Sequence, residues 1–516
     1  MPEPERERRT QGALMADHGM AAAKRTGGRR VAWAPSLVGW ESIRDRTARL
    51  VVWLAALVYV VVLSLESVSA HRSFVTGYDT ALYDQLLWLL ANGEEPFSTI
   101  VSKPILADHF QPGLALLTPL YWLGAGVPAL LVVQSVALAA TGPALYALAR
   151  ASGARPALAA VPALLWIACP FVARLNLWEF RPTAFVSVLL VLSVLAAVQG
   201  RLWLLGATGV VALSLKEDVG LVYLALGVVL AIRGERRLGS VVAAASAAWL
   251  VVASLVIRSG SGSLDAFGRR FAGDRGDSVP EAIAWIVQHP LAALDDIARE
   301  SLVYLLALFV ATGGLPLLAP LWMLLALPTA AHNALSAYEP QHLLSFHYHQ
   351  LTMTGLFISA ALGVHRLQSA GWRVRLGAAA GVAAAAILAV AAGSWAHAHW
   401  TEGIRLPREP TKAALSVVPP DAPVAASPHL LPHVSQRSEV YTLPAPFLPL
   451  DIGSPLTEAE LAERARRVEY VLYREDDMPV EYSGTPESVL AMLDREGFVP
   501  IRRAGRVTVF GRSRGS

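Results

Sequence analysis

Five short polar clusters interrupt an otherwise apolar chain, and their side chains are of the kinds that move protons and hold anions. They are Tyr78-Asp79 with Tyr83-Asp84-Gln85, Asp108-His109 with Gln111 and Pro112, Trp178-Glu179-Phe180-Arg181-Pro182, Lys216-Glu217-Asp218, and His342 with His347-Tyr348-His349-Gln350. Carboxylates beside histidines suit general acid–base chemistry or divalent-metal binding. Arg181 and Lys216 are cations of the kind that hold a phosphate. Each cluster also has a plainer reading. Asp79 or Asp84 could cap or solvate an interfacial helix, and Asp108 could be an N-cap. Glu179 and Arg181 could pair with each other, and Lys216-Glu217-Asp218 could be a solvated turn. His347 and His349 could sit in an interfacial stretch and ligate nothing. The joint pattern says more than any member.

The elements that must position these residues belong to a membrane. The 516 residues are 54% hydrophobic and only 16% charged, against about 45–50% and about 25% for soluble domains. The apolar excess falls in runs of about twenty residues, the length that crosses a bilayer core. Spans are expected near 50–67, 127–149, 156–174, 182–199, 201–215, 219–233, 238–257, 301–313, 315–331, 350–365 and 376–394. The fold class is thus an all-α polytopic bundle of about eleven transmembrane helices with a small α/β soluble domain at its C-terminal end. The runs at 201–215 and 301–313 are short, and 315–331 carries Pro316, Pro320 and Pro328.

Basic residues in the short loops set the orientation. Arg150–Arg155, Gly200–Arg201, Arg233–Arg237 and His365–Arg375 fall on the inner side when the N-terminus is cytoplasmic. All five polar clusters then fall on the outer side. Residues 1–48 read as a disordered, Arg-rich cytoplasmic arm, 49–395 as the transmembrane domain, and 400–516 as an extracytoplasmic domain. No cleavable signal peptide is evident, since the first apolar run is too long for one. The large first outer loop, 68–126, is expected to carry two interfacial helices, one over Asp79–Ala91 and one over the apolar stretch 113–123. A net charge of +3 without a concentrated basic face argues against a nucleic-acid partner. Cys169, the single cysteine, reads as a small core residue.

Past Trp400 charges and prolines rise and the long apolar runs stop. Val424–Ser427, Glu439–Thr442 and Val468–Tyr473 read as strands, Leu456–Arg467 and Pro486–Glu496 as helices. Phe498–Arg502 and Val507–Arg512 read as a hairpin around Gly505. The domain has no GxGxxG, Walker A or CxxC motif.

The order YDTALYDQ, ADHFQP, WEFRP, KED, FHYHQ and then VAASPHLLPHVSQRSEVYTLP resembles the family of predicted bacterial and archaeal membrane proteins of unknown function numbered 2079. Its usual forms are a paired-aspartate motif ending in FDQ, then DHFSP, an FHP-like motif, KED and HY. The likeness covers about residues 70 to 475. Arg181 stands where the FHP-like motif has histidine, and FHYHQ carries one histidine more. The family is placed in the GT-C superfamily of polytopic glycosyltransferases. The resemblance therefore implies transfer of a sugar from a polyprenyl-phosphate donor outside the cytoplasmic membrane, with an essential acid in the first outer loop as base or metal partner.

On that reading the candidate catalytic residues are Asp79, Asp84, Asp108 and His109. The candidate substrate-binding residues are Glu179, Arg181, Lys216, Glu217, Asp218, His347, Tyr348 and His349. Asp84, Asp108 and His109 are the candidate ligands of a divalent cation, magnesium or manganese; the sequence leaves open whether one binds. The expected partners are membrane lipid and a polyprenyl-phosphate sugar, and the expected location is the cytoplasmic membrane. Two other readings stay open. A transporter or flippase would line a path to the midplane and commonly show inverted repeats; no repeat is seen. A non-catalytic scaffold would explain the C-terminal domain but not the outer charges.

Overall fold

The computed structural model describes residues 43–261, 263–399, 405–448, 456–479, 482 and 484–513. The basic arm expected over 1–48 lies outside these residues except for its end, which already belongs to a helix. The chain runs through α1 (Ile43–Arg72), α2 (Tyr78–Ala91), α3 (Gly126–Ala151), α4 (Pro156–Ala168), α5 (Pro170–Trp178), α6 (Thr183–Val198), α7 (Leu202–Leu213), α8 (Val219–Ile232), α9 (Arg236–Ser261), α10 (Leu302–Ala311), α11 (Gln350–Gly363) and α12 (Trp372–His399), with shorter helices between some of them.

Among the described residues four helices, α1, α3, α9 and α12, are long and apolar enough to cross a bilayer core, and the bent pair α4–α5 makes a fifth. The other apolar runs form helices of at most 16 residues, shorter than the roughly 20 a straight span needs. Among the described residues eleven full-length spans are therefore not found. Helix breakers explain the shortening. Pro170 holds Cys169 in an extended conformation, and the α4–α5 axis bends by 42° there. Large apolar side chains on α1 and α12 face outward, Leu65 at 68% exposure and Val390 at 71%. Hydrocarbon is the medium that suits such faces.

The run at 315–331 is the clearest correction. It forms two 3-10 turns, Leu315–Leu318 and Pro320–Leu325, and then a helix, Leu327–Leu335. Pro316, Pro320 and Pro328 each stand near the start of one piece, where no intrahelical donor is lost. The irregular backbone is buried against α11, with Ser359 Oγ at 3.0 Å from the Pro316 carbonyl and 2.9 Å from that of Ala319. Broken backbone at membrane depth is tolerated where protein satisfies it in this way. Gly355 allows the approach: a Cβ there would lie 2.6 Å from the Ala326 nitrogen.

Helix α2 is enclosed by protein rather than laid open on a surface. Nine of its residues, Thr80 to Leu87 and Leu89, are buried, charged and apolar sides alike. The reason is a second cover. One side meets the bundle and the other meets the C-terminal domain. The second expected interfacial stretch is a 3-10 turn, Pro112–Leu117, followed by a short helix, Thr118–Trp122. It exposes Leu116, Trp122 and Leu123, as an interfacial element would.

The C-terminal domain has α13 (Arg408–Leu415), β1 (Val424–Ala426), β2 (Val440–Thr442), α14 (Glu458–Arg467), β3 (Tyr470–Arg474), α15 (Pro486–Arg495), β4 (Phe498–Ala504) and β5 (Val507–Arg512). The sheet order is β2-β1-β3-β5-β4. β1 pairs in parallel with β2 (Val424 opposite Val440) and β3 (Val424 opposite Tyr470); β5 is antiparallel to β3 and β4. The expected strands, helices and hairpin all stand within two residues of their expected ends. The domain is not packed on its own account alone. Phe74, Leu82, Leu86, Ile105 and Leu114 of the segment between α1 and α3 share one apolar core with Leu406, Leu415, Val424, Leu430, Val440 and Leu472.

Candidate active site

The site is built around the first turn of α2. Its free backbone N–H groups need acceptors, and one comes from the segment between α5 and α6. Glu179 Oε2 accepts from the Thr80 N–H at 2.7 Å, and the Phe180 N–H donates to Thr80 Oγ1 at 3.2 Å. Gln134, a fully buried side chain of α3, fastens the same segment. Its Nε2 donates to the Asn176 and Glu179 carbonyls at 3.1 and 3.0 Å, and its Oε1 accepts from the Arg181 N–H at 2.7 Å. With its backbone fixed, Arg181 turns its guanidinium to Asp79 and forms an ion pair.

Three further pairs continue the cluster. Lys103 Nζ meets Asp108 Oδ1 at 3.0 Å, His109 Nδ1 meets Glu217 Oε1 at 2.8 Å, and Lys216 Nζ meets Asp218 Oδ2 at 2.9 Å. Glu217 also accepts from the Phe110 N–H at 3.2 Å, which ties the loop after Asp108 to the turn between α7 and α8. From the last segment, His347 lies against the Tyr348 ring, 4.1 Å between centroids. Asn333 holds that segment by donating to the Tyr348 carbonyl at 2.9 Å.

Hydrogen bonds and ion pairs join the first segment to the third and the second to the fourth, and electrostatic influence links these to each other and to His347. His347 is influenced by Arg181, Lys216 and His109, and Tyr83 by Asp79, Arg181, Lys216 and Asp108. Burial, then the nearby Asp79 charge, raises the Glu179 carboxyl to about 7. Burial alone would push Glu217 up, but His109 and Lys216 outweigh it and hold the carboxyl near 2. His109 moves upward: burial opposes its charge, and Glu217 more than compensates. Burial and the cations Arg181 and Lys216 keep His347 neutral, well below the usual histidine range. His349 is also held down, to about 4, by burial, and its Nε2 meets the Phe171 carbonyl at 3.3 Å.

Six buried polar atoms of the five clusters have no hydrogen-bond partner among the described residues: Gln111 Nε2, Arg181 Nε, Asp218 Oδ1, His342 Nε2, His347 Nδ1 and His349 Nδ1. Buried polar groups are nearly always paired. Among the six, the guanidinium of Arg181, the carboxylate of Asp218 and the imidazole of His347 suit a ligand that brings both acceptors and hydroxyl donors.

Asp84 stands apart from all this. It is fully buried, and its carboxylate accepts from Tyr121 Oη at 2.6 Å, Ser435 Oγ at 2.6 Å and Gln436 Nε2 at 3.1 Å. Two of those donors belong to the C-terminal domain. Asp79 and Asp84, equivalent candidates by sequence, thus face different surroundings. Nor do Asp84, Asp108 and His109 form a ligand set: Asp84 is tied to the C-terminal domain, Asp108 to Lys103 and His109 to Glu217. Among the described residues no three histidine, cysteine, aspartate or glutamate groups come together to hold a metal ion. An open cleft of about 310 Å³ lies elsewhere, between Glu94, Phe97, Thr99, Tyr441, Arg464 and Arg467, and its Arg467 is already paired with Glu439.

Sequence reasoning missed Gln134, Lys103 and Asn333. Gln134 carried a signal, an amide inside an apolar span; Lys103 and Asn333 are marked only by the fold.

The family described as predicted membrane protein, DUF2079, matches residues 70–483. The chain belongs to this family. It is a membrane protein, and the match spans all five polar clusters and most of the C-terminal domain. Among solved structures it is similar to ArnT from Cupriavidus metallidurans bound to undecaprenyl phosphate, with a TM-score of 0.49 and 15% identity over 89% of this chain and 98% of that one. It is also similar to the same protein in the apo state, with a TM-score of 0.47 and 12% identity over 88% and 98%. At scores below one half the likeness assigns no residue role. No curated protein matches the chain.

Proposed function

We propose that this protein is a membrane-embedded glycosyltransferase of the GT-C kind, which moves a sugar from a polyprenyl-phosphate donor to an acceptor hydroxyl outside the cytoplasmic membrane. The observation that carries the reading is the electrostatic linkage of five polar segments that retain buried, unpartnered polar atoms. Family membership and the motifs that resemble GT-C enzymes support it. Asp79 is the proton acceptor: it is partly exposed, whereas Asp84 is sealed and its oxygens are occupied. Arg181 Nε and neutral His347 Nδ1 face the donor phosphate, with Lys216 close by. Asp218 Oδ1 takes a hydroxyl of the sugar or the acceptor.

In this reaction the acceptor oxygen bonds to the anomeric carbon as its proton passes to Asp79. The anomeric C–O bond breaks, and its electron pair leaves on the lipid phosphate. Negative charge grows on that phosphate, so fixed cations beside it lower the barrier. The test is turnover of labelled polyprenyl-phosphate sugars by the whole protein in membranes. Release of polyprenyl phosphate that disappears in Asp79→Asn and survives in Asp84→Asn supports the assignment. Full activity in Asp79→Asn overturns it. A wild type that turns over none of a broad donor panel overturns the reaction class.

A further inference from the structure

The tail motif SPHLLPH contributes a histidine to which the reaction above gives no role. His429 sits between β1 and β2, and Asp477 fixes it twice. Asp477 Oδ1 lies 2.6 Å from His429 Nδ1, and Oδ2 accepts from the His429 backbone N–H at 2.8 Å. This grip on Nδ1 orients the ring and leaves Nε2 on its other edge. That edge lies beside Gly77, the residue before α2. A Cβ on Gly77 would lie 3.5 Å from Glu179 Oε1 and 3.7 Å from both Cδ2 and Nε2 of His429. The carboxylate and the imidazole thus flank one residue that has no side chain to separate them.

Exposure runs along this line in one direction. Glu179 is 8% exposed, whereas the His429 side chain is 29% exposed and Asp477 behind it 4%. His429 is thus one of two partly exposed groups that act on the buried Glu179 carboxyl; Asp79, at 30%, is the other. The charged groups acting on Glu179 are Asp79, Arg181 and His429; those acting on His429 are Asp477, Glu179 and Arg474.

We propose that His429, oriented by Asp477, is a positioning residue that exchanges a proton with Glu179 and passes it to solvent, so that the C-terminal domain is a working part of the membrane-boundary site. The proposal rests on the transferase reading and extends it. The proton released from the acceptor hydroxyl reaches Asp79, moves to the Glu179 carboxylate, then to Nε2 of neutral His429, and from the imidazolium to water. One proton leaves per sugar transferred and nothing is oxidised or reduced. The near-neutral carboxyl of Glu179 and the upward shift of His429, where Asp477 outweighs burial, agree with such an exchange.

The experiment is an infrared pH titration of the Glu179 carboxyl, assigned with Glu179→Gln, in the full chain in membranes. His429→Gln and Asp477→Asn are compared with the wild type, and turnover is measured on the same samples. Removing the cationic partner is expected to move the Glu179 midpoint upward by about one pH unit. The kcat is expected to fall about tenfold or more with KM unchanged, and added imidazole to restore part of it. Gly77→Ala, which places a methyl group between the two side chains at ordinary contact distances, should shift the midpoint the same way. An unmoved midpoint in both His429→Gln and Asp477→Asn overturns this inference even if the enzyme turns over. A shifted midpoint in a protein that uses no donor upholds the exchange and leaves the transferase reading as the one that failed.

Discussion

Two neighbouring stretches of α2 differ in how fully their polar groups are satisfied. At the first turn, Asp79 pairs with Arg181 among polar segments where Arg181 Nε, Asp218 Oδ1 and His347 Nδ1 still lack partners. Five residues on, Asp84 has three donors on its two oxygens and no opening to solvent. Both are polar assemblies built on an aspartate of the same helix. The difference teaches that completeness separates a structural tie from a reaction site: a finished hydrogen-bond set holds two parts together, and an unfinished one waits for a ligand.

The largest effect should come from the unfinished side. Asp79→Asn is expected to lower turnover by roughly 10²- to 10⁴-fold, with folding intact, as checked by kcat and by thermal unfolding of the same preparation. The finished side should answer in the opposite manner. Asp84→Ala leaves the donors of Tyr121, Ser435 and Gln436 without their acceptor and should cost about 2–4 kcal/mol. Limited proteolysis of residues 405–513 would report it, while kcat per folded molecule changes little. If Asp84→Asn abolishes turnover in a folded protein and Asp79→Asn does not, the contrast is reversed.

Arg181→Gln should act mainly on the donor. A weaker hold on phosphate raises KM and lowers kcat, together by roughly 10- to 100-fold, and the Asp79→Asn Arg181→Gln double variant should be no worse than Asp79→Asn alone.

A smaller effect concerns pH. The His109 midpoint is raised above its ordinary 6.5, so its share of stability is present below 6.5 and is lost as pH rises through the raised value. The Glu217 midpoint falls from 4.5 to about 2, so its share is present above 4.5 and is lost as pH falls toward 2. The pair should stabilise most between 4.5 and 6.5, and His109→Gln should flatten that rise in melting temperature. The smallest effect belongs to Cys169→Ala, a buried residue outside both regions. It should cost about 1 kcal/mol or less and leave turnover alone.

Much of this was legible in the sequence, for physical reasons. The C-terminal strands follow from period-two patterning. Helix α14 follows from Thr457 and Glu460, which form a capping box around its first turn. The polar clusters were legible because charges in an apolar chain are expensive. What was not legible depends on chain segments far apart in sequence. The burial of α2 needs a domain that begins more than three hundred positions later. The choice between Asp79 and Asp84 turns on which of them meets Ser435, 351 positions away from Asp84. The brokenness of 315–335 was marked by its prolines, but its packing on α11 was not.

The core shared by the segment between α1 and α3 and the C-terminal domain also sets a schedule for assembly. Asp84 and Leu114 leave the ribosome long before Ser435 and Leu430 exist. At 5–20 residues per second the 351 positions between Asp84 and Ser435 take roughly 20–70 s to make. During that interval Phe74, Leu86 and Leu114 lack half of the surface that buries them, and the turn bearing Asp79 lacks its outer support. The chain therefore carries its reaction site in an unassembled form until its last quarter has been synthesised, and a prematurely ended copy would be left with an apolar face uncovered.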